Sequence, residues 1–322
     1  MRPFMRYAKI CLALPLLSVL VLPACKNKLA HSAASVEKAM PAPLPAPVTL
    51  LALDRSAFHA KVHLDGDLVY VLTDDAIFAV APGQAPRGRK LAMGFTSAAT
   101  PSAFIYWDQG FLMRVSKLGG DPAKLGPVPR EPQFLLAMGE LIAWVDKDDQ
   151  GAFTVRVFDG SQGRVIHAAA GRIVAATGAG DRAVFVEQMK DGPYRLVSVP
   201  VTGGEATFGR PRKGRPPAML TSFEGTVAYY DGNAFEVRSL SADLRQEQVV
   251  GNNLICSPIA LADRIYCGQV EGLSVLLPAD HSITLLSPNA RTLVTALTAD
   301  PRRVVYILDA AGKMEVRQLL RQ

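Results

Sequence analysis

The chain repeats one β-rich unit seven times, and that constrains its fold more than any other feature. Each unit holds a short apolar run ending in an aromatic residue, then a turn, then a second β-rich run. The aromatic anchors are Tyr70, Tyr106, Trp144, Phe185, Tyr230, Tyr266 and Tyr306, separated by 36, 38, 41, 45, 36 and 40 residues. A period near ~40 built from strands predicts a β-propeller in which each repeat is one four-stranded blade. A length of 322 residues could make one large domain or two ordinary ones, and the repeats decide for one. With 49% apolar and 20% charged residues the chain can bury a sizeable core and is not of the disordered class.

The first residues read as an export signal. Arg2, Arg6 and Lys9 form a positive n-region, Ile10 to Val21 an apolar h-region, and Leu22-Pro23-Ala24-Cys25 a cleavage site. The apolar run is too short for a bilayer span, which needs ~20 residues. A small residue before a cysteine, directly after an h-region, resembles the lipobox of bacterial lipoproteins. That resemblance implies cleavage of residues 1–24 and acylation of Cys25, with two to three chains holding the protein firmly to a membrane. Lys26 rather than Asp after the cysteine implies, by the same resemblance, the outer membrane. Residues 25–47 include Met40-Pro41-Ala42-Pro43-Leu44-Pro45-Ala46-Pro47. Proline at every second position cannot join a sheet, so this is an extended tether, and the propeller is expected over 48–322.

Removal of the signal takes three of the six net positive charges with it. The remainder is small and spread over strands and loops, which argues against a nucleic-acid partner. Removing Cys11 and assigning Cys25 to lipid leaves Cys256 and Cys267, on neighbouring strands either side of the turn Ala262-Asp263. If Leu261 pairs with Arg264, Cys256 faces Gln269 and Cys267 is only a diagonal neighbour. A disulfide then requires a bulge or a register shift, because diagonal Cβ atoms stand too far apart for the ~3.8 Å a disulfide prefers. A disulfide and two buried thiols both remain open.

One blade shows the grammar. Ser97 to Phe104 reads as a first strand, Ile105-Tyr106-Trp107 as a second, Phe111 to Val115 as a third and Lys124-Leu125 as a short fourth. Third strands recur with a base among apolar residues at Arg114, Arg156, Arg195, Arg238 and Arg317, which marks one wet and one dry side. The last repeat stops after its third strand, whereas an extra strand, Val48 to Leu53, precedes the first repeat. That strand is expected to complete blade seven and close the ring, removing exposed edges. The segment Ile105 to Val115, followed by Gly119-Gly120-Asp121-Pro122, resembles the repeat of secreted bacterial propellers of the YWTD/TolB-like type. Tyr194 to Pro200 with Gly203-Gly204-Glu205 echoes it. The resemblance implies the propeller fold; such propellers serve as scaffolds, ligand-binding modules and occasional enzymes, so it leaves function open.

The chain offers little chemistry. His59 and His63, at i and i+4 on one strand, stand ~13 Å apart and cannot chelate one zinc; a wet channel position is the plain reading. Asp146-Lys147-Asp148-Asp149-Gln150-Gly151 opens like a calcium loop, but Val157 stands where the bidentate Glu belongs, so a polar hairpin is expected. Ser161 lacks the glycine frame and helix of a hydrolase elbow, and Gly178-Ala179-Gly180 opens no helix for a nucleotide. No catalytic residue, metal or cofactor is assigned. The one dense charge cluster is Gly209-Arg210-Pro211-Arg212-Lys213-Gly214-Arg215-Pro216-Pro217, joining blade four to blade five. It belongs on the face where crossovers and second-to-third-strand hairpins gather. Arg210, Arg212, Lys213 and Arg215 are therefore the candidate contact with an acidic partner, lipid A phosphates or a polyanion, against the alternative of a solvated, proline-stiffened loop. The expectation is a lipid-anchored binding or scaffolding module with a protein partner in the cell envelope. The alternative is a small-ligand binder or lyase/hydrolase-type propeller enzyme using the channel mouth.

Overall fold

The computed structural model describes residues 46–322 except 55–59, 82, 91–95, 149, 162, 191, 254, 257–258, 270–271, 278–281, 289–292, 311–312 and 321–322. Cys25, the signal segment, most of the tether and His59 lie outside the described residues. The first described strand is β1 (Val48–Leu53). Blade 1 follows as β2 (Lys61–Asp65), β3 (Leu68–Leu72), β4 (Ala76–Val80) and β5 (Arg87–Lys90). Blade 2 is β6 (Ser97–Ala99), β7 (Ala103–Asp108), β8 (Phe111–Ser116) and β9 (Ala123–Pro127). Blade 3 is β10 (Phe134–Met138), β11 (Leu141–Lys147), β12 (Phe153–Phe158) and β13 (Gly163–Ala168). Blade 4 is β14 (Arg172–Ala179), β15 (Arg182–Gln188), β16 (Tyr194–Pro200) and β17 (Thr207–Phe208). Blade 5 is β18 (Leu220–Phe223), β19 (Thr226–Asp231), β20 (Glu236–Ser241) and β21 (Glu247–Gly251). Blade 6 is β22 (Ile259–Leu261), β23 (Ile265–Gln269), β24 (Gly272–Leu277) and β25 (Ser282–Pro288). Blade 7 contributes β26 (Leu293–Ala299), β27 (Arg303–Ala310) and β28 (Lys313–Leu320).

Among the described residues these strands make seven four-stranded antiparallel sheets, and the seventh runs β1-β28-β27-β26. The protein is a seven-bladed β-propeller whose last blade is completed by its N-terminal strand. Leu51 stands opposite Val316 and Leu53 opposite Met314, after a bulge beyond Thr49. Leu51 is buried in the apolar cluster shared by blades 7 and 1, a contribution of about 1.5–3 kcal/mol to holding the latch. A polar staple reinforces the closure. Arg303, itself buried, donates to the carbonyls of Gly66, Asp67 and Leu68 at 2.6, 3.1 and 3.3 Å. It also holds Gln318 and Asp300, so its charge and donors are satisfied where water is excluded.

Seven apolar clusters lie one at each seam between blades. The innermost strands abut in sequence from β6 through β10, β14, β18, β22 and β26 to β2. Between β2 and β6, Lys61 Nζ donates to Ser97 O and Oγ at 3.0 and 3.3 Å.

Six of the seven aromatic anchors are buried on second strands. The fifth is not: in blade 5 the buried ring is Tyr229, and Tyr230 points to the opposite side. Successive strand residues alternate faces, so an aromatic pair allows a one-residue misreading of the register. In blade 2 the expected first strand, Ser97 to Phe104, is interrupted. Thr100 N donates to Ala103 O at 2.9 Å and Thr100 Oγ1 accepts from Ala103 N at 3.0 Å. Pro101-Ser102 thus form a hairpin turn, and Ala103 and Phe104 belong to the second strand. Proline at that point favours a turn over a ladder.

Cys256 and Cys267 are joined, with Cα atoms 5.1 Å apart. The expected register is off by one: Leu261 pairs with Ile265, not Arg264, and Ile259 stands opposite Cys267. Cys256 precedes β22 rather than lying on it, so the chain ahead of the strand brings the two sulfurs together. Both are buried at the seam of blades 5 and 6.

Candidate functional site

The crossover from β17 to β18 carries the basic cluster and is built, not loose. Gly209 N donates to Leu196 O at 2.8 Å, and Tyr194 and Arg212 exchange two backbone hydrogen bonds at 2.8 and 2.7 Å. The loop therefore extends the outer edge of blade 4 beyond the two residues of β17. At Gly214 the chain takes φ 99°, and a Cβ there would collide with the Asn233 side chain. That close approach lets Asn233 clamp the loop: its Oδ1 accepts from Arg215 N at 2.8 Å and its Nδ2 donates to Arg215 O at 2.7 Å. Asn233 sits in the β19–β20 hairpin and is itself oriented by Asp231. Crossover and second-to-third-strand hairpin thus share one face, as the sequence implied.

The four bases of the cluster divide. Arg212 turns into the protein, gripping Glu247 with hydrogen bonds of 2.5 and 2.6 Å and Asp231 at 3.5 Å. Tyr229 donates to the same Glu247 at 2.8 Å, and Arg238 adds contacts to Glu236, Asp231 and Glu247. Burial pushes the Tyr229 hydroxyl far above the usual tyrosine range, so it stays a donor. Arg212 is a structural residue and is removed from the expected contact set. Its charge is already engaged by Glu247 and by buried Asp231, which it shares with Arg238. Arg210, Lys213 and Arg215 are exposed, and none of the three makes an ion pair among the described residues. Phe235, with φ 56° and half exposed, stands at the tip of the adjoining hairpin.

The remaining sequence candidates resolve into structure. The third-strand arginines each meet a carboxylate: Arg114 with Glu140, Arg156 with Asp146, Arg195 with Glu187, Arg238 with Glu236 and Arg317 with Glu315. In the calcium-like segment, Asp146 faces Arg156 and Trp144. Asp148 Oδ1 accepts from Gln150 N and Ala152 N at 2.9 and 2.8 Å, which makes this an Asx-type hairpin turn. Asp149 lies outside the described residues. Ser161 Oγ and N both bond Asp159, in a turn. His63 is not a wet channel residue: its Nε2 is buried without a partner and its ring packs 6.2 Å from Phe104 in the next blade. Strand pairing with Tyr70 aims it into the seam. Among the described residues no three His, Cys, Asp or Glu side chains converge as a metal site.

No family profile matches the chain, and no curated protein matches its sequence. Solved structures do match in shape. The β-propeller domain of Cps50 (Swd1) from Myceliophteria thermophila is 10% identical, with a TM-score of 0.61 over 84% of this chain and 99% of that one. An oligogalacturonate lyase in complex with manganese is 11% identical, TM-score 0.57, covering 79% of this chain and 85% of that one. A chain of a nidogen/laminin complex is 13% identical, TM-score 0.50, covering 74% and 96%. What is shared is the propeller. At such identities the likeness extends to the fold alone, which hosts binding modules and a lyase alike.

Proposed function

We propose that this chain is a lipid-anchored propeller of the bacterial cell envelope that docks an acidic protein partner on its crossover-loop face. In this reading Cys25 carries the acyl chains, residues 25–47 hold the propeller off the outer membrane, and Arg210, Lys213 and Arg215 make the contact. One observation carries the docking surface: three exposed bases, unpaired among the described residues, sit on a loop whose backbone is clamped by Asn233 and by the Tyr194–Arg212 pairing. A pre-ordered loop loses less freedom on binding than a floppy one, and clustered cations steer an acidic partner. The lyase-type alternative rests on the fold likeness to oligogalacturonate lyase; the described residues offer it no metal cluster.

The test is a pull-down from solubilised envelope membranes with the native protein and with Arg210→Ala/Lys213→Ala/Arg215→Ala. A partner retained at low salt and lost in the triple variant is the expected result. Retention unchanged by the three substitutions overturns the site. Arg212→Ala serves as the contrast, since it should lower the melting temperature whereas the triple variant should not. Replacing Cys25 by serine should release the protein from the membrane fraction, and continued membrane retention would overturn the anchor.

A further inference from the structure

The seams between blades 1 and 2 and between blades 3 and 4 can be superposed through their hydrogen bonds. Lys117 N donates to Ser102 O as Val201 N donates to Asp181 O, at 3.1 and 2.9 Å, and Gly119 N to Ser116 O as Gly203 N to Pro200 O. Lys117 therefore occupies the place of Val201. On the facing blades the rows are Tyr70–Ala79–Arg87 and Ala143–Val157–Arg164. At the later seam Ala143, Val157 and Val201 close in one cluster, and Arg164 seals the rim by donating to Val201 O at 3.0 Å. At the first seam the equivalent base, Arg87, is exposed and bonded to nothing among the described residues. Lys117 O is met instead by the Tyr70 hydroxyl, at 3.5 Å.

The result is a cleft of about 390 Å³ opening among the first-to-second and third-to-fourth-strand hairpins, on the face away from the crossover loops. Its walls are Tyr70, Ile77, Phe104 and Val115, all buried. Its rim is Arg87, Arg89 and Lys117. Gly88 lies against the Phe78 ring, where a Cβ would come within 3.0 Å, so β5 sits close on β4 with its two arginines on the cleft side. Lys117 is paired with Asp65 at 3.1 Å, and Arg89 reaches exposed Asp121 only at 3.9 Å. Beneath lie two more bases. Burial lowers Lys61 to about 8, and burial, then Lys61 and Lys117, lower His63 to about 4. His63 is thereby neutral, and it is Arg87, Arg89 and Lys117, set against Asp65 and Asp121, that leave positive charge in excess around an apolar hollow of the size that small-molecule sites have.

We infer that this cleft binds a small monocarboxylate with an apolar body, the body against Tyr70, Phe104 and Val115 and the carboxylate at Arg87. An apolar body is matched by the walls, and a single anionic head by Arg87, the rim base without a partner among the described residues. A dianion would find Lys117 already engaged. This is a ligand site on the face opposite the proposed docking surface, and it stands or falls separately from it.

Calorimetric titration of the purified full-length protein with 4-phenylbutyrate, 4-phenylbutan-1-ol and butyrate tests the inference. Saturable binding of 4-phenylbutyrate is expected, with the alcohol weaker by up to about fivefold, the most that an exposed ion pair contributes, and butyrate not measurable. Arg87→Ala should erase the preference for the acid over the alcohol. Ala79→Leu, which fills the hollow, should abolish both. No saturable binding of 4-phenylbutyrate, or an acid preference that survives Arg87→Ala, overturns the inference. Should Ala79→Leu disturb folding, the Arg87→Ala comparison decides.

Discussion

The seam between blades 3 and 4 and the seam between blades 1 and 2 share one backbone plan, yet one is sealed and the other open. Alanine and valines interlock in the first case, and an arginine caps the last carbonyl. In the second, tyrosine and lysine stand in the places of Ala143 and Val201, and the matching arginine is left at the rim. Blade geometry is therefore tolerant, and closure is decided residue by residue in the rows that face across a seam. Each seam also buries a histidine whose Nε2 lacks a partner, His167 and His63. Burial lowers both, but Glu187 opposes the shift at His167, whereas Lys61 and Lys117 add to it at His63.

The largest effect should come from making the sealed seam resemble the open one. Val201→Lys places a cation among apolar neighbours, with Met138 in the place that Asp65 holds in blade 1, and should cost about 3 kcal/mol or more in urea unfolding. A loss under ~1 kcal/mol would mean that the valine row does not seal that seam.

Next in size is acid sensitivity at the open seam. Folding holds His63 neutral, with a pKa of about 4 against 6.5 unfolded. Between those values the unfolded chain binds more protons, so stability falls as pH drops from about 6.5 to 4. Although His63 as a residue is only half-buried, its Nε2 is fully so, and the loss should reach roughly 2–3 kcal/mol. His63→Leu should remove that part of the pH dependence, measured as the difference between the two proteins' unfolding curves. An unchanged slope would place His63 in contact with solvent.

The smallest effect separates the two rim arginines. Arg164→Ala loses a charged hydrogen bond to Val201 O and should cost about 1 kcal/mol, whereas Arg87→Ala should stay within about 0.5 kcal/mol of the native protein. Equal losses would show that Arg87 is already engaged in holding its seam.

The blade number, the place of the second and third strands and the closing role of Val48–Leu53 were all written in the repeat period and the strand count at the two ends. Those follow from local alternation and from the need to pair every edge, which are properties of the chain taken in order. Tyr229 in place of Tyr230, the turn at Pro101-Ser102 and the register about Cys256 were not, because a one-residue shift leaves the pattern of residue types almost unchanged. The basic crossover was visible as a cluster, but its division was not. That Arg212 faces inward while Arg210, Lys213 and Arg215 remain outside depends on Glu247 and Asp231, which stand 35 and 19 residues further along the chain. The cleft at the first seam left no mark that could be read locally. It exists because Tyr70, Arg87, Phe104 and Lys117, ordinary strand and hairpin residues, meet across two blades. Which side chains face one another over a seam is fixed only when neighbouring sheets pack.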